Sequence, residues 1–217
     1  MPDLVDEVDE EIRQERAALL ARRFGGLFAA LAMFVLAAVG GWQGWQWYEN
    51  RNAVAVAEAF LAATRDAAAE GADSSAVAAR MAALGAGAPT GYRILSQLRA
   101  AALTAEAGDG AAALAMWERV SADASADPLY RELATLLWGL HVLAEGATRA
   151  AEVQARLAPL AAAGPWRASA RELVALAALS AGNTAEARRG LTELARDDGV
   201  PQGVRDRAQR LLSGIDG

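Results

Sequence analysis

The sequence predicts an all-α protein, in which a single N-terminal transmembrane helix is followed by an α-solenoid of stacked helix hairpins. Three observations predict it. No charged residue occurs between Arg23 and Glu49. The rest of the chain is dominated by alanine, which loses no side-chain entropy on entering a helix. Beyond residue 88, prolines and turn glycines recur with a period in the high thirties, the mark of stacked helix hairpins.

Composition supports helices over strands. Hydrophobic residues make up 54% of the 217, and alanine supplies roughly half of them. Aromatics are only 6%, and valine and isoleucine are sparse outside the N-terminal apolar run, which argues against a sheet. The chain has no cysteine, so disulfides and thiolate metal sites are excluded. All 21 basic residues are arginine, and the formal net charge is −6. An acidic chain offers no broad phosphate-binding face, so no nucleic-acid partner is expected.

Residues 24–48 are expected to span the membrane. The stretch contains GGLFAALAMFVLAAVGGW, an 18-residue run without a strongly polar side chain. A bilayer core needs about 20 mostly apolar residues in helical form. Trp42, Trp45, Trp47 and Tyr48 cluster at its C-terminal end, where amphipathic rings meet the headgroups. Arg22 and Arg23 bracket the other end and can snorkel to phosphates. Arg13, Arg16, Arg22 and Arg23 precede the run, and only Arg51 follows it closely. The positive-inside bias then places the N-terminus in the cytoplasm and everything after about residue 50 across the membrane. A cleaved signal peptide is the competing reading, with Ala38-Val39-Gly40 as its cleavage site. The run exceeds the usual ~7–15-residue apolar region of a signal, and the segment before it is long and acidic. Gly40-x-x-x-Gly44 offers a close-approach face for another membrane helix, which leaves a homo-oligomer possible.

Before the run, residues 1–23 read as a cytoplasmic amphipathic segment. Leu4, Val8, Ile12 and Leu19 recur near helical spacing among charges. After it, residues 49–88 read as a helical connector and N-terminal hairpin. A helix over 49–70 is broken at Gly71-Ala72-Asp73-Ser74, where Asp73 or Ser74 can cap the next helix. A short helix over 75–84 follows, and Gly85 to Pro89 is expected to form a loop.

Residues 89–217 form the repeat domain. Prolines fall at 89, 128, 165 and 201, at intervals of 39, 37 and 36 residues. Half a period after the first three lie Gly108, Gly146 and Gly182. Proline suits a first helical turn, where its missing N–H has no helical partner, and glycine suits the tight turn between two helices. The unit is helix, glycine turn, helix, loop, then proline. With the glycines in register, the positions five residues on are Ala113, Ala151 and Ala187. Nine residues on are Trp117, Ala155 and Leu191, and seven before are Ala101, Gly139 and Ala175. This pattern resembles the tetratricopeptide repeat over roughly residues 90–200. The middle repeat is weak at Ala155, and the spacing exceeds the usual repeat of about 34 residues.

The segment EVDEEIRQERAA, the Arg-Arg-flanked run ending in Trp-rich sequence, and the divergent hairpins together resemble the YfgM-like family of ancillary SecYEG translocon subunits. That resemblance spans nearly the full chain. It implies a bacterial inner-membrane protein with a periplasmic repeat domain that associates with the Sec translocon and periplasmic chaperones. It carries over no catalytic residue.

No enzymatic chemistry is expected from the residues themselves. His141 is the only histidine, and a zinc or catalytic site needs convergent partners, so it is read as structural. Glu10-Glu11 and Asp197-Asp198 are adjacent pairs, which do not face each other on a helix; Asp197-Asp198-Gly199 reads as a helix end. The glycines form no phosphate-cradling motif. No cofactor and no metal are expected. Leu133, Leu136, Leu140 and Leu143 form a stripe on the first helix of the middle repeat. Leu95 and Leu98 are the equivalents one repeat earlier, and Leu176 and Leu179 one later. These eight are the candidate partner groove, the concave face that stacked hairpins present to peptides. Core packing competes for the same positions, and Trp117, Trp138 and Trp166 read as packing residues. The expected function is an inner-membrane-anchored periplasmic scaffold that binds protein partners in protein export. The alternatives are a cell-envelope assembly or division scaffold of the same architecture, or a soluble periplasmic ligand-binding protein with a cleaved signal.

Overall fold

A computed structural model describes residues 4–216, with side chains described at 26, 27, 29–48 and 51–215. All regular structure among these residues is helical. The order is α1 (Leu4–Ala67), α2 (Ser74–Gly87), α3 (Thr90–Glu106), α4 (Gly110–Ala122), α5 (Pro128–Glu145), a 3-10 turn (Ala147–Arg149), α6 (Ala150–Ala162), α7 (Arg167–Ser180), α8 (Thr184–Arg196) and α9 (Gln202–Asp216). Two compact units emerge, 1–52 and 53–217.

The first unit is helical from Leu4 without a break. Its expected amphipathic face, and the placement of Arg22 and Arg23, concern side chains outside the described residues. In this unit the described apolar side chains, at 26–48, are exposed on every face, including Leu27, Phe34, Trp42 and Trp45. Arg51 lies over the Trp47 ring, 4.4 Å from its centroid. Among the described residues no helix is long and apolar enough to cross a membrane. The described stretch 29–48 includes Gln43 and Gln46, whereas the run in the sequence opens earlier, at Phe24.

In the second unit each helix from α2 to α8 packs against the next, and α5 also meets α7, as α7 meets α9. This nearest-neighbour stacking is that of a solenoid. The core falls into three groups. Ala63 of α1 joins Val77, Ala78 and Met81 of α2 and Ala100 and Leu103 of α3. The largest group runs from Ile94 on α3 to Ala177 on α7, with Trp117, Trp138 and Leu157 inside it. Leu191, Leu194, Val204 and Ala208 close the far end. Burying each large apolar side chain contributes about 1.5–3 kcal/mol.

Local chemistry sets the helix ends. Gly108 has φ of 92°. Its N–H donates to Ala105 O, and the Asp109 N–H donates to Thr104 O. Gly182, with φ of 80°, repeats this: Gly182 N–H donates to Leu179 O and Asn183 N–H to Ala178 O. These paired bonds satisfy the last carbonyls of α3 and α7. Asp109 and Asn183 then cap the next helix, accepting from the Ala112 and Glu186 N–H groups at 3.0 and 3.4 Å. Pro128 sits in the first turn of α5, where Asp127 accepts from the Leu129 N–H.

The middle hairpin departs from the expected register. Gly146 adopts φ 135° and ψ −177° and makes only the bond from its N–H to Leu143 O, and a 3-10 turn precedes α6. The first buried residue after the glycine is therefore Ala150, one position earlier than Ala113 and Ala187 in the flanking repeats. Ala151 and Ala155, aligned by the turn glycines with the buried Ala113, Trp117, Ala187 and Leu191, are exposed, and Val153 and Leu157 take the core. α6 has no side-chain cap. Arg149 and Arg156 hold its start differently, bracketing the Trp138 ring at 5.1 and 4.0 Å and pairing with Glu152 at 2.8 Å each. The helix expected over 75–84 is also longer. Gly85 and Gly87 are helical, so no loop opens at residue 85. A Cβ on Gly85 would lie 3.4 Å from Arg93 O and 3.5 Å from Ser96 Cβ, so this glycine serves close approach of α2 to α3 and does not break the helix.

Candidate functional site

The first helices of successive hairpins line one side of the repeat unit. Between α5, α7 and α9 they leave a groove of about 640 Å³. α5 supplies Leu133, Leu136, Leu137 and Leu140, at spacing that puts them on one helix face. α7 supplies Ser169, Glu172, Leu173 and Leu176, with Trp166 just before it. α9 supplies Arg207, Arg210 and Leu211.

Four of the eight leucines singled out by spacing meet here: Leu133, Leu136, Leu140 and Leu176. They differ in exposure. Leu136 is buried, Leu133 and Leu176 are half-buried, and Leu140 is 52% exposed, the most open apolar side chain of the groove. The other four lie elsewhere. Leu98 is buried in the main core, Leu143 packs against that core, and Leu95 and Leu179 are half-buried outside the groove. Spacing alone did not single out Leu137, Leu173, Leu211 or the charged groups. The signal for α9 was present: Val204, Ala208, Leu211 and Ile215 recur at helical spacing after Pro201, with Arg207 one turn from Leu211.

Glu172 is the charged residue of the groove that is buried, at 7% exposure. Its two carboxylate oxygens accept from Arg207 Nε and Nη2, each at 2.7 Å. This two-point pair ties α9 to α7. Hydrogen bonding to Glu172 raises the Arg207 guanidinium above its ordinary value, while burial works in the opposite direction. Trp166 Nε1 donates to Leu129 O at 3.0 Å and fixes the entry to α7 against the start of α5.

His141 lies outside the groove. Its ring meets Trp117 edge-on at 5.4 Å, and its Nε2 is 3.6 Å from Glu145 Oε1. Both atoms crowd Gly110, where a Cβ would sit 2.8 Å from His141 Nε2 and 2.6 Å from Glu145 Oε1. Trp117 and Trp138 are buried core residues. Asp197 ends α8 and accepts from the Gly199 N–H at 2.9 Å. Among the described residues no three His, Cys, Asp or Glu side chains converge to hold a metal ion.

The order of hairpins, with glycine turns and first helices lining a shared groove, agrees with a family comparison. Residues 22–198 match the tetratricopeptide repeat-like domain. The chain belongs to the tetratricopeptide repeat-like family. No curated protein and no solved structure matches it. Tetratricopeptide repeat-like domains generally mediate protein–protein interactions and are typically non-catalytic scaffolds. In this tetratricopeptide repeat-like chain the match begins at Arg22, so it takes in the apolar run as well as the three hairpins.

Proposed function

We propose that this protein is a membrane-anchored scaffold that binds protein partners in the groove between α5, α7 and α9. The observation that carries the reading is the groove itself: an open, leucine-lined trough of about 640 Å³ in a family that mediates protein–protein interactions. The binding mode is an apolar segment laid against a helical trough.

Residues 24–48 are the single transmembrane helix in this reading. A helix exposing leucine, phenylalanine and tryptophan on all faces is costly in water and stable in lipid, where every backbone group is already bonded within the helix. The arginine bias puts the N-terminus in the cytoplasm and the repeat domain in the periplasm of a bacterial inner membrane. Tethering raises the local concentration of the groove, so weak contacts suffice. The YfgM-like resemblance implies the Sec translocon and periplasmic chaperones as the partners.

Two measurements test this. A photo-crosslinker placed at Leu140 in living cells is expected to trap translocon subunits or periplasmic chaperones. Trapping only division or envelope-assembly proteins would move the scaffold to that setting, and no protein adduct would defeat the reading. A tag at Gly217 is expected to become protease-accessible when the outer membrane alone is opened; protection under that condition would refute the topology.

A further inference from the structure

The charges of the groove do not cancel. Glu172 is fully engaged by Arg207. Arg210, three residues further along α9, lines the same groove and makes no ion pair among the described residues. Asp206, one turn before it, does not pair with it either. The lining therefore carries one net positive charge, in a chain whose formal net charge is −6.

A partner that fills the trough covers part of the exposed Arg210 side chain. A wholly apolar partner would leave the guanidinium without an acceptor, which is costly for a charged group. A partner carboxylate removes that cost, because the guanidinium fork matches it at two points. The apolar side sets the other half of the match. Leu133 to Leu140 runs two turns along α5, about 10 Å at 1.5 Å per residue. That length suits a row of two or three large side chains on a docked segment. The half-exposed Leu140 leaves the site open at its side, as a trough for a chain segment and not a closed chamber for a small molecule.

We propose that the groove selects an amphipathic protein segment in which a carboxylate accompanies two or three large apolar side chains, the carboxylate pairing with Arg210. This rests on the protein-binding reading of the groove and adds the charge of the partner.

The test is a random dodecapeptide library panned on the full chain in nanodiscs, followed by fluorescence anisotropy with the enriched peptides. Enriched sequences are expected to combine leucine, isoleucine or phenylalanine with an aspartate or glutamate. Arg210→Gln should weaken their binding about ten- to hundredfold. Exchanging the peptide's acid for its amide should do the same, and the two changes together should cost little more than either alone. Leu140→Asp should abolish binding. If Leu140→Asp abolishes binding while Arg210→Gln leaves it intact, the groove reading stands and the anionic partner is refuted. If Leu140→Asp has no effect, or no peptide is enriched, both fall. Saturable binding of dodecanoate without any peptide enrichment would assign the groove to a lipid amphiphile and overturn the proposal.

Discussion

Replacing Leu157 by alanine tests the register of the middle hairpin. Leu157 is fully buried, and its Cδ1 lies 3.2 Å from where a Cβ on Gly139 would stand. α6 thus meets α5 through this side chain, against a residue with no side chain of its own to move into a void. Truncation of a buried leucine costs about 2–5 kcal/mol, more when the site cannot collapse. The bare Gly139 surface places Leu157→Ala at about 3–4 kcal/mol, a fall in Tm of about 6–16 °C for a unit of this size. The control is Ala155→Gln. Turn-glycine register aligns Ala155 with the buried Trp117 and Leu191, but it is exposed, so this change should stay within about 0.5 kcal/mol. Urea and thermal unfolding of the full chain in mild detergent, followed by far-ultraviolet circular dichroism, gives both values. A loss below about 1 kcal/mol for Leu157→Ala, or an equal loss for Ala155→Gln, would refute the register.

Three further outcomes are expected. Gly108→Ala forces a Cβ onto a residue with φ of 92° and should cost about 1–2 kcal/mol by urea denaturation, whereas the helical Gly87, which no neighbour crowds, should accept alanine without loss. Arg207→Met leaves the Glu172 carboxylate buried without its donors and should cost about 1–3 kcal/mol; a double-mutant cycle should show Glu172→Met recovering most of it, and a double variant as unstable as Arg207→Met would contradict this. The Ser125 hydroxyl, then Arg93, hold the Asp123 carboxyl at about 2, below its ordinary 3.8. A carboxyl depressed in the folded state adds stability above its unfolded value and loses it as pH falls toward the folded one. The urea midpoint should therefore decline between these pH values, and Asp123→Asn should flatten that part of the decline; an unchanged slope would remove Asp123 from the account.

Much of the architecture was legible because it is written in local chemistry. Glycine at Gly108 and Gly182 and the cap at Asp73 act within a few residues of themselves, so the sequence shows them, and the spacing of the glycines reveals the hairpins. The leucine stripe was half legible as a lining. Helical spacing shows that Leu133, Leu136, Leu140 and Leu143 share a face, but not which part of that face a neighbour covers. Leu143 meets the main core, while Leu140 stays open.

By itself the sequence determined the helical class, the hairpin period, the glycine turns and a long uncharged apolar run, since each depends on backbone preference and hydropathy over a few turns. Only tertiary structure decided the one-residue shift of α6, the service of Gly85 as a packing surface, and the union of Glu172 with Arg207 across 35 positions of chain. Those depend on how closely two helix axes approach and which side chains then face each other, and that is settled by neighbours distant in sequence.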